Sequence, residues 1–399
     1  MTSRPPEGRG ASGAARTIPA LDTLRAVAAL AVVTTHVAFE TGVTGAGLGG
    51  AVLARLDVGV PIFFVLSGFL LSRDFLRPGA SPDLRAYALK RFARIYPVYV
   101  VAVVMAMTLL DENQGAGAVE WLRQLSLTHI YGGDALPEGL SQMWSLSTEV
   151  AFYLMLPPLA ALLVRLRNRF GIGGALVTLV ALSIGGLIWQ AGGGTALVGS
   201  PAQANLWLPG YALWFCLGIS FALAQHRLSS PSTNAPPRLL VAAAAAPGAC
   251  WLAAAALLLV AATPVAGPTL LDPATGAQQV TKSLLYAGVA GLLVLPVALG
   301  DPAARSARLL ASRPLRYLGH ISYSLFCVHL VVLDLVLRAT GVPSFSGQFP
   351  DVLALTVIAS IALSAVLYHV VERPAMRWGR RIASRPAPNV APTEATASS

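Results

Sequence analysis

The sequence predicts an all-α fold, a polytopic transmembrane helix bundle of about ten spans with both termini in the cytoplasm. Of its 399 residues, 55% are hydrophobic and 12% are charged, against roughly 45–50% and about 25% in ordinary soluble domains. The apolar residues come in runs, and about 20 helical residues cross the roughly 30 Å of hydrocarbon in a bilayer. Between the runs, arginine and lysine gather in every second loop, the pattern that positive-inside retention produces.

Taken in order, the apolar windows lie near Leu21 to Phe39, Val58 to Phe75, Ile95 to Leu110, Trp144 to Leu166 and Ile172 to Gln190. Five more lie near Leu206 to Ala224, Leu239 to Ala262, Ser283 to Leu299, Leu318 to Leu337 and Val352 to Val371. Their ends are uncertain by roughly 2–4 residues. Arg4, Arg9 and Arg16 precede the first; Arg77, Arg85, Lys90, Arg91 and Arg94 follow the second; Arg165, Arg167 and Arg169 follow the fourth. Arg227 and Arg238 follow the sixth, Arg305 to Arg316 precede the ninth, and Arg373 to Arg385 follow the tenth. The intervening loops carry few cations, and the largest, Asp111 to Met143, is acidic and expected to face outward. Residues 1–17 and 384–399 are rich in Pro, Ala, Ser and Thr without apolar periodicity and are expected to be disordered cytoplasmic tails, which leaves 18–383 as one membrane domain. Met1 to Thr17 has no apolar core of a signal peptide, and no internal repeat is evident.

The net charge of +10 invites a nucleic-acid reading, but the cations sit between apolar spans and not along one polar face, so no nucleic acid is expected. Cys216, Cys250 and Cys327 fall in apolar segments without paired spacing or a histidine-rich neighbourhood, so no metal is expected and they read as small apolar side chains.

An ionisable group inside a membrane helix costs about 2.5–3.5 kcal/mol on insertion scales, which makes each one a functional candidate. Arg25 and His36 are eleven positions apart, so they share a helix face about 16 Å apart along the axis. Arg25 is either a snorkelling anchor or part of a site; His36 is either a hydrogen-bonded packing residue or a base suited to removing a hydroxyl proton near neutral pH. Ser67 and Gly68 interrupt a bulky run, either for helix packing or for close approach of a backbone or acyl chain. Lys90, Arg91 and Arg94 cluster at the edge of the third span, either for positive-inside retention or to hold an anionic nucleotide. Glu149 lies about 8 Å inside the span that Trp144 opens, either in an interhelical bond, orienting His36, or holding an acceptor hydroxyl. His329 and Asp334 spell H-x-x-x-x-D, a glycerolipid acyltransferase spacing, but on a straight helix they lie about 140° apart. His369, Glu372 and Arg373 read as a structural charge network.

Several landmarks in order resemble the acyltransferase 3 family of bacterial membrane O-acyltransferases over nearly all the chain between the tails. These are Arg25 to His36, GVPIFFVLSGF from Gly59 to Phe69, KRFARIYP from Lys90 to Pro97, WSLSTE from Trp144 to Glu149, ISYSLFCVH ending at His329, and VERP from Val371 to Pro374. The chain departs from the pattern at Thr23, Thr35, Pro61 and at Cys327-Val328, where the family commonly has Leu-Trp. The resemblance implies transfer of an acyl group from cytoplasmic acyl-CoA, with acetyl-CoA the expected donor, to a hydroxyl of a sugar, cell-envelope glycan or lipid, or macrolide-like secondary metabolite. It implies His36 as general base, Arg25 at the donor or oxyanion charge, Lys90, Arg91 and Arg94 on CoA phosphates, and Glu149 on the acceptor, in a multi-pass protein of the bacterial inner membrane. The rival from another class is a polytopic transporter of a polar or acylated metabolite, which often carries paired, Gly/Pro-broken helices in two repeat halves; no such pairing is visible here.

Overall fold

A computed structural model describes residues 17–132, 136–198, 204–228, 237–269 and 273–384. The predicted disordered tails therefore lie, up to residue 16 and from residue 385, outside the described residues. Among the described residues the elements are helical throughout, with no strand. The principal helices are α1 (Ala20–Glu40), α2 (Gly59–Phe75), α3 (Leu84–Leu109), α4 (Trp144–Ile188), α5 (Ala212–Leu228), α6 (Pro247–Ala261), α7 (Gly276–Leu299), α8 (Arg313–Thr340), α9 (Phe349–Leu367) and α10 (Arg373–Ala383).

Eight helical stretches among the described residues are long and apolar enough to cross a membrane, and nine if Arg238–Ala245 and α6, which meet at 92°, form one bent span. The longest, Ser141–Val198, is 58 residues and contains two of the windows read from sequence, Trp144 to Leu166 and Ile172 to Gln190. Gly171 divides it, with φ 68° and ψ −171°, a conformation that glycine adopts without a Cβ penalty. The other windows each fall within or overlap one of these stretches. The sequence window for α3 is shorter than the helix because flanking charges end an apolar window without ending a helix. Arg85 to Arg94 occupy the first turns of α3, which Asp83 caps by accepting from the Ala86 amide at 3.0 Å.

Lipid is as apolar as the helix faces it would cover, so helices associate by close packing and small residues set how closely they approach. On α2, a Cβ at Gly68 would stand 2.3 Å from the Phe215 carbonyl oxygen, and on α5 one at Gly218 would stand 2.1 Å from that of Val65. The two helices thus lock reciprocally. Gly59 presses on Ala28 of α1, and Gly319 of α8 presses on Asp22 of α1, each with a carbonyl closer than 2.5 Å to an added Cβ. These contacts bring α1, α2 and α8 together around the polar residues described next.

Arg55 is 3% exposed, in a short 3-10 turn before α2. Its Nε donates to the Ala261 carbonyl at 2.8 Å, and its guanidinium also donates to Ala266 and Gly267. It satisfies the carbonyls left open at the end of α6. A one-turn π-helix, Tyr368–Glu372, joins α9 to α10 and carries Glu372 into the interior, where it is 0% exposed.

Candidate active site

Three cavities lie in the bundle, the first two among α1, α2, α3 and α8, with α10 beside the first and α4 beside the second, and the third among α1, α2, α4, α5 and α7. The first opens at the arginine-rich end and has a volume of about 830 Å³; Arg25, Arg77, Lys90, Arg91, Arg94 and Arg380 line it, with Asp22, Asp74 and Asp83 as the acidic minority. The second is a narrow space of about 80 Å³, lined by Arg25, Ser67, Arg91, Arg94, Ser145, Glu149, Tyr153 and Tyr323. It shares Arg25, Leu71, Arg91 and Arg94 with the first. The third, of about 520 Å³, is lined by His36, Asp57, Gln142, Trp144, Tyr211, Trp214 and Lys282 among others. Val60 lines both the second and the third. Cations therefore crowd one end of this path and His36 sits toward the other.

His36 makes two contacts through Nδ1, with the Val32 carbonyl at 2.8 Å and with Nε2 of His329 at 3.2 Å. The rings are 5.1 Å apart between centroids. Nδ1 of His329 lies 2.8 Å from the Phe326 carbonyl. A carbonyl accepts only, so each Nδ1 must carry the hydrogen, and a neutral imidazole then has its lone pair on Nε2. His329 Nε2 accepts part of the His36 Nδ1–H bond. The outcome is that His36 presents Nε2 as the basic nitrogen, with its ring held by a second, fully buried imidazole. The sequence reading considered Glu149 as the group orienting His36; His329 does so instead.

Glu149 accepts from Ser67 Oγ and from Tyr153 Oη, the latter at 2.7 Å. It lines the narrow cavity with Arg25 and Arg91, and Trp144, five residues earlier at the start of α4, lines the His36 cavity. Ser67 has its partner in Glu149. Gly68 is absorbed by packing against Phe215, the first of the two readings of that pair.

Of the three α3 cations singled out from the sequence, Lys90 lines the wide cavity, while Arg91 and Arg94 line both the wide and the narrow ones. Arg91 Nε is buried without a hydrogen-bond partner among the described residues, which leaves it ready to donate to an anion. Arg94 is differently committed. It ion-pairs with the buried Glu372, whose second oxygen accepts from Ser324 Oγ at 2.6 Å, and its guanidinium lies over the Tyr323 ring. Glu372 thus holds a cation of the site in a buried charge network, whereas His369 lies 3.3 Å from Tyr317 Oη. Arg25 is 3.9 Å from Asp22 and borders both cationic cavities, which fits a site residue better than a snorkelling anchor. Asp334 pairs with Arg338 at 2.6 Å, and the H-x-x-x-x-D spacing has no counterpart in contact.

Several site residues escaped the sequence reading. Asp57, in the 3-10 turn before α2, and Lys282 of α7 pair at 2.8 Å, with Tyr286 donating to the same carboxylate and lying beneath the ammonium at 5.1 Å. Each sits at the margin of an apolar window, where a charge is ordinarily read as a boundary. Gln142, at 2% exposure, lies in the loop before Trp144 and was hidden by the absence of any apolar run there.

A bundle of long apolar helices whose interior holds a cation-lined cavity and a pair of imidazoles defines a membrane protein with a polar interior. The chain belongs to the acyltransferase 3 family, whose acyltransferase domain it matches over residues 18–369. It is 29% identical over 95% of its length to the acyltransferase MdmB of Streptomyces mycarofaciens, of which it spans 97%. It is 26% identical over 93% of its length to YrhL of Bacillus subtilis, a provisionally named peptidoglycan O-acetyltransferase, and 30% identical over 35% of its length to the peptidoglycan O-acetyltransferase OatA of Listeria monocytogenes. The chain spans 56% of YrhL and 24% of OatA. No solved structure matches it.

Proposed function

We propose that this chain is a multi-pass O-acyltransferase of the bacterial inner membrane, with ten spans and both termini cytoplasmic, that moves a short acyl group, acetyl in the first instance, from acyl-CoA to a hydroxyl of a carbohydrate-bearing acceptor. The positive-inside pattern puts the wide basic cavity at the cytoplasmic side and the His36 cavity toward the outside. The observation that carries the reading is the alignment of the three cavities, cationic at one end, with the basic Nε2 of His36 at the other.

In this reading the nucleotide of CoA lies in the wide cavity, where Lys90 and Arg91 supply positive charge to its phosphates. The thin thioester arm enters the narrow cavity, which is too small for anything bulkier. The acceptor hydroxyl donates its proton to His36 Nε2 as its oxygen attacks the thioester carbon, the carbon–sulfur bond breaks, and the proton passes to the CoA thiolate. Arg25 faces the carbonyl oxygen as it gains negative charge. Glu149 holds Ser67 and Tyr153 in place and keeps the local charge of the narrow cavity from becoming wholly positive. The names of YrhL and OatA point to a cell-wall glycan as acceptor, while MdmB is named only as an acyltransferase.

The test is mass spectrometry of cell-envelope glycans and secreted metabolites from a deletion strain. Loss of an acyl mass increment from one species supports the reading and names the acceptor. Accumulation of an unmodified substrate on one side of the membrane, with no acyl difference, would replace it with the transporter reading.

A further inference from the structure

We infer that the arginine-rich end of the α8–α9 hairpin holds one anionic phospholipid, its phosphate between Arg313 and Arg373. The site needs neither the acyl-transfer reading nor a choice of which end of the bundle faces the cytoplasm.

Residues 341–348 join α8 to α9, so the two helices run antiparallel. At the arginine-rich end they meet at Tyr317 and His369, whose rings stack with centroids 6.2 Å apart at 26° and whose Oη and Nε2 are 3.3 Å apart. Arg313 lies four residues before Tyr317, and Arg373 four residues after His369. Because the chains run in opposite directions, both steps lead one helical turn toward the same end, to a similar depth. Both arginines are exposed. Two guanidiniums therefore flank the seam between the helices, just beyond an aromatic pair.

The depth is that of a lipid headgroup. The 19 residues of α9 cover about 28 Å, nearly the roughly 30 Å of hydrocarbon, so Arg373 stands just past it. The 28 residues of α8 cover about 42 Å, the thickness of a bilayer with its headgroups, and Arg313 is the first of them. Tyr317 is at the level where membrane proteins place tyrosine, and Val370, 68% exposed, offers apolar surface beside the seam to an acyl chain.

The two charges are uncommitted. Arg316 and His320, the neighbouring cations of α8, face Asp22 at 3.8 and 3.4 Å. Glu372, next to Arg373 in the chain, turns inward to Arg94 and Ser324. No carboxylate among the described residues pairs with Arg313 or Arg373. Positive-inside retention accounts for the number of cations in a loop, but it does not ask for two unpaired guanidiniums at one depth across a helix seam. A planar guanidinium matches phosphate oxygens bidentately. Arg377, one turn further along α10, adds to the positive field. A zwitterionic lipid would bring its own cation to a place that already holds three, so the site selects a lipid with net negative charge.

The experiment titrates the full chain in detergent with phosphatidylglycerol and, separately, with phosphatidylcholine, and native mass spectrometry counts the lipids bound per chain. A photoreactive phosphatidylglycerol marks the place on the wild-type chain. The expected result is tighter binding of phosphatidylglycerol, crosslinks to the peptides that contain Tyr317 and Val370, and an affinity loss of about 10- to 30-fold in Arg313→Gln/Arg373→Gln. Arg165→Gln/Arg169→Gln, which removes two exposed cations from α4, should bind as the wild type does. A melting temperature equal to that of the wild type certifies the fold of each double variant, and the crosslink decides the matter on the wild type if either fails to fold. Equal affinity for the two lipids, crosslinks confined to other helices, wild-type affinity in Arg313→Gln/Arg373→Gln, or an equal loss in the α4 variant would overturn the inference. Binding of soluble sn-glycerol 3-phosphate as tight as that of the lipid would overturn it too, since the site would then take a free phosphate ester.

Discussion

Nε2 of His329 stands 3.2 Å from Nδ1 of His36, and the carbonyl of Phe326 on one side and of Val32 on the other fix which nitrogen of each ring carries hydrogen. The pair therefore turns one lone pair, on His36 Nε2, toward the cavity. His329 is a positioning residue in this arrangement. His329→Leu should lower kcat about 10- to 100-fold with little change in KM for acyl-CoA, the range seen when the group behind a functional imidazole is removed. His329→Gln, which keeps an acceptor near the His36 N–H, should recover part of that loss. Equal kcat in the Leu variant and the wild type would show that the contact does nothing for turnover.

Arg94 and Lys90 should separate cleanly. Arg94→Ala leaves Glu372 buried with no cation, a change that costs about 3–5 kcal/mol in comparable buried pairs, so the variant should melt well below the wild type in detergent. Lys90→Ala should leave the melting temperature alone and raise the apparent KM for acyl-CoA, because a phosphate contact remote from the reacting carbon contributes uniform binding. A fluorescence-detected melt and a KM measurement on each variant decide it.

Gly218→Ala forces a Cβ to within 2.1 Å of the Val65 carbonyl and should push α5 away from α2. The expected result is a destabilised or poorly expressed protein, read by size-exclusion in detergent. Gly248→Ala meets nothing within 4 Å and serves as the control that should behave as wild type.

His129, in the loop between α3 and α4, is 2% exposed and lies 3.3 Å from Ser147 Oγ. Burial pushes its imidazole down to about 4 from the ordinary value near 6.5. The undocked loop therefore binds the proton more readily than the docked one. Docking is at full strength above pH 6.5 and weakens by a few kcal/mol as pH falls from there toward 4. Protection factors of residues 118–132, corrected for the intrinsic exchange rate at each pH, should fall over that interval in the wild type and stay flat in His129→Gln. Flat protection in the wild type would mean the loop does not depend on this histidine.

How much of this was legible in the sequence follows from what each residue's neighbours are. The apolar windows located the helices because hydrocarbon demands long uninterrupted runs, and Arg25, His36 and Glu149 stood out because they break those runs. The pairing of His36 with His329 was invisible: the two are 293 positions apart, and no local spacing encodes a contact between α1 and α8. Asp57 and Lys282 were lost for the opposite reason, since a charge at the margin of a window marks its end whether or not it points inward. Arg94 looked equivalent to Lys90 and Arg91 on the helix, and only the π-turn before α10, which delivers Glu372, sets it apart.

The account stands most directly on His36 as the base. Steady-state turnover of acyl-CoA with its acceptor should vanish in His36→Ala while calorimetry shows acyl-CoA binding nearly as in the wild type, because in the proposed reaction the imidazole meets the reacting proton and the nucleotide binds in the separate cavity that Lys90 lines. A folded His36→Ala protein with wild-type turnover would contradict it.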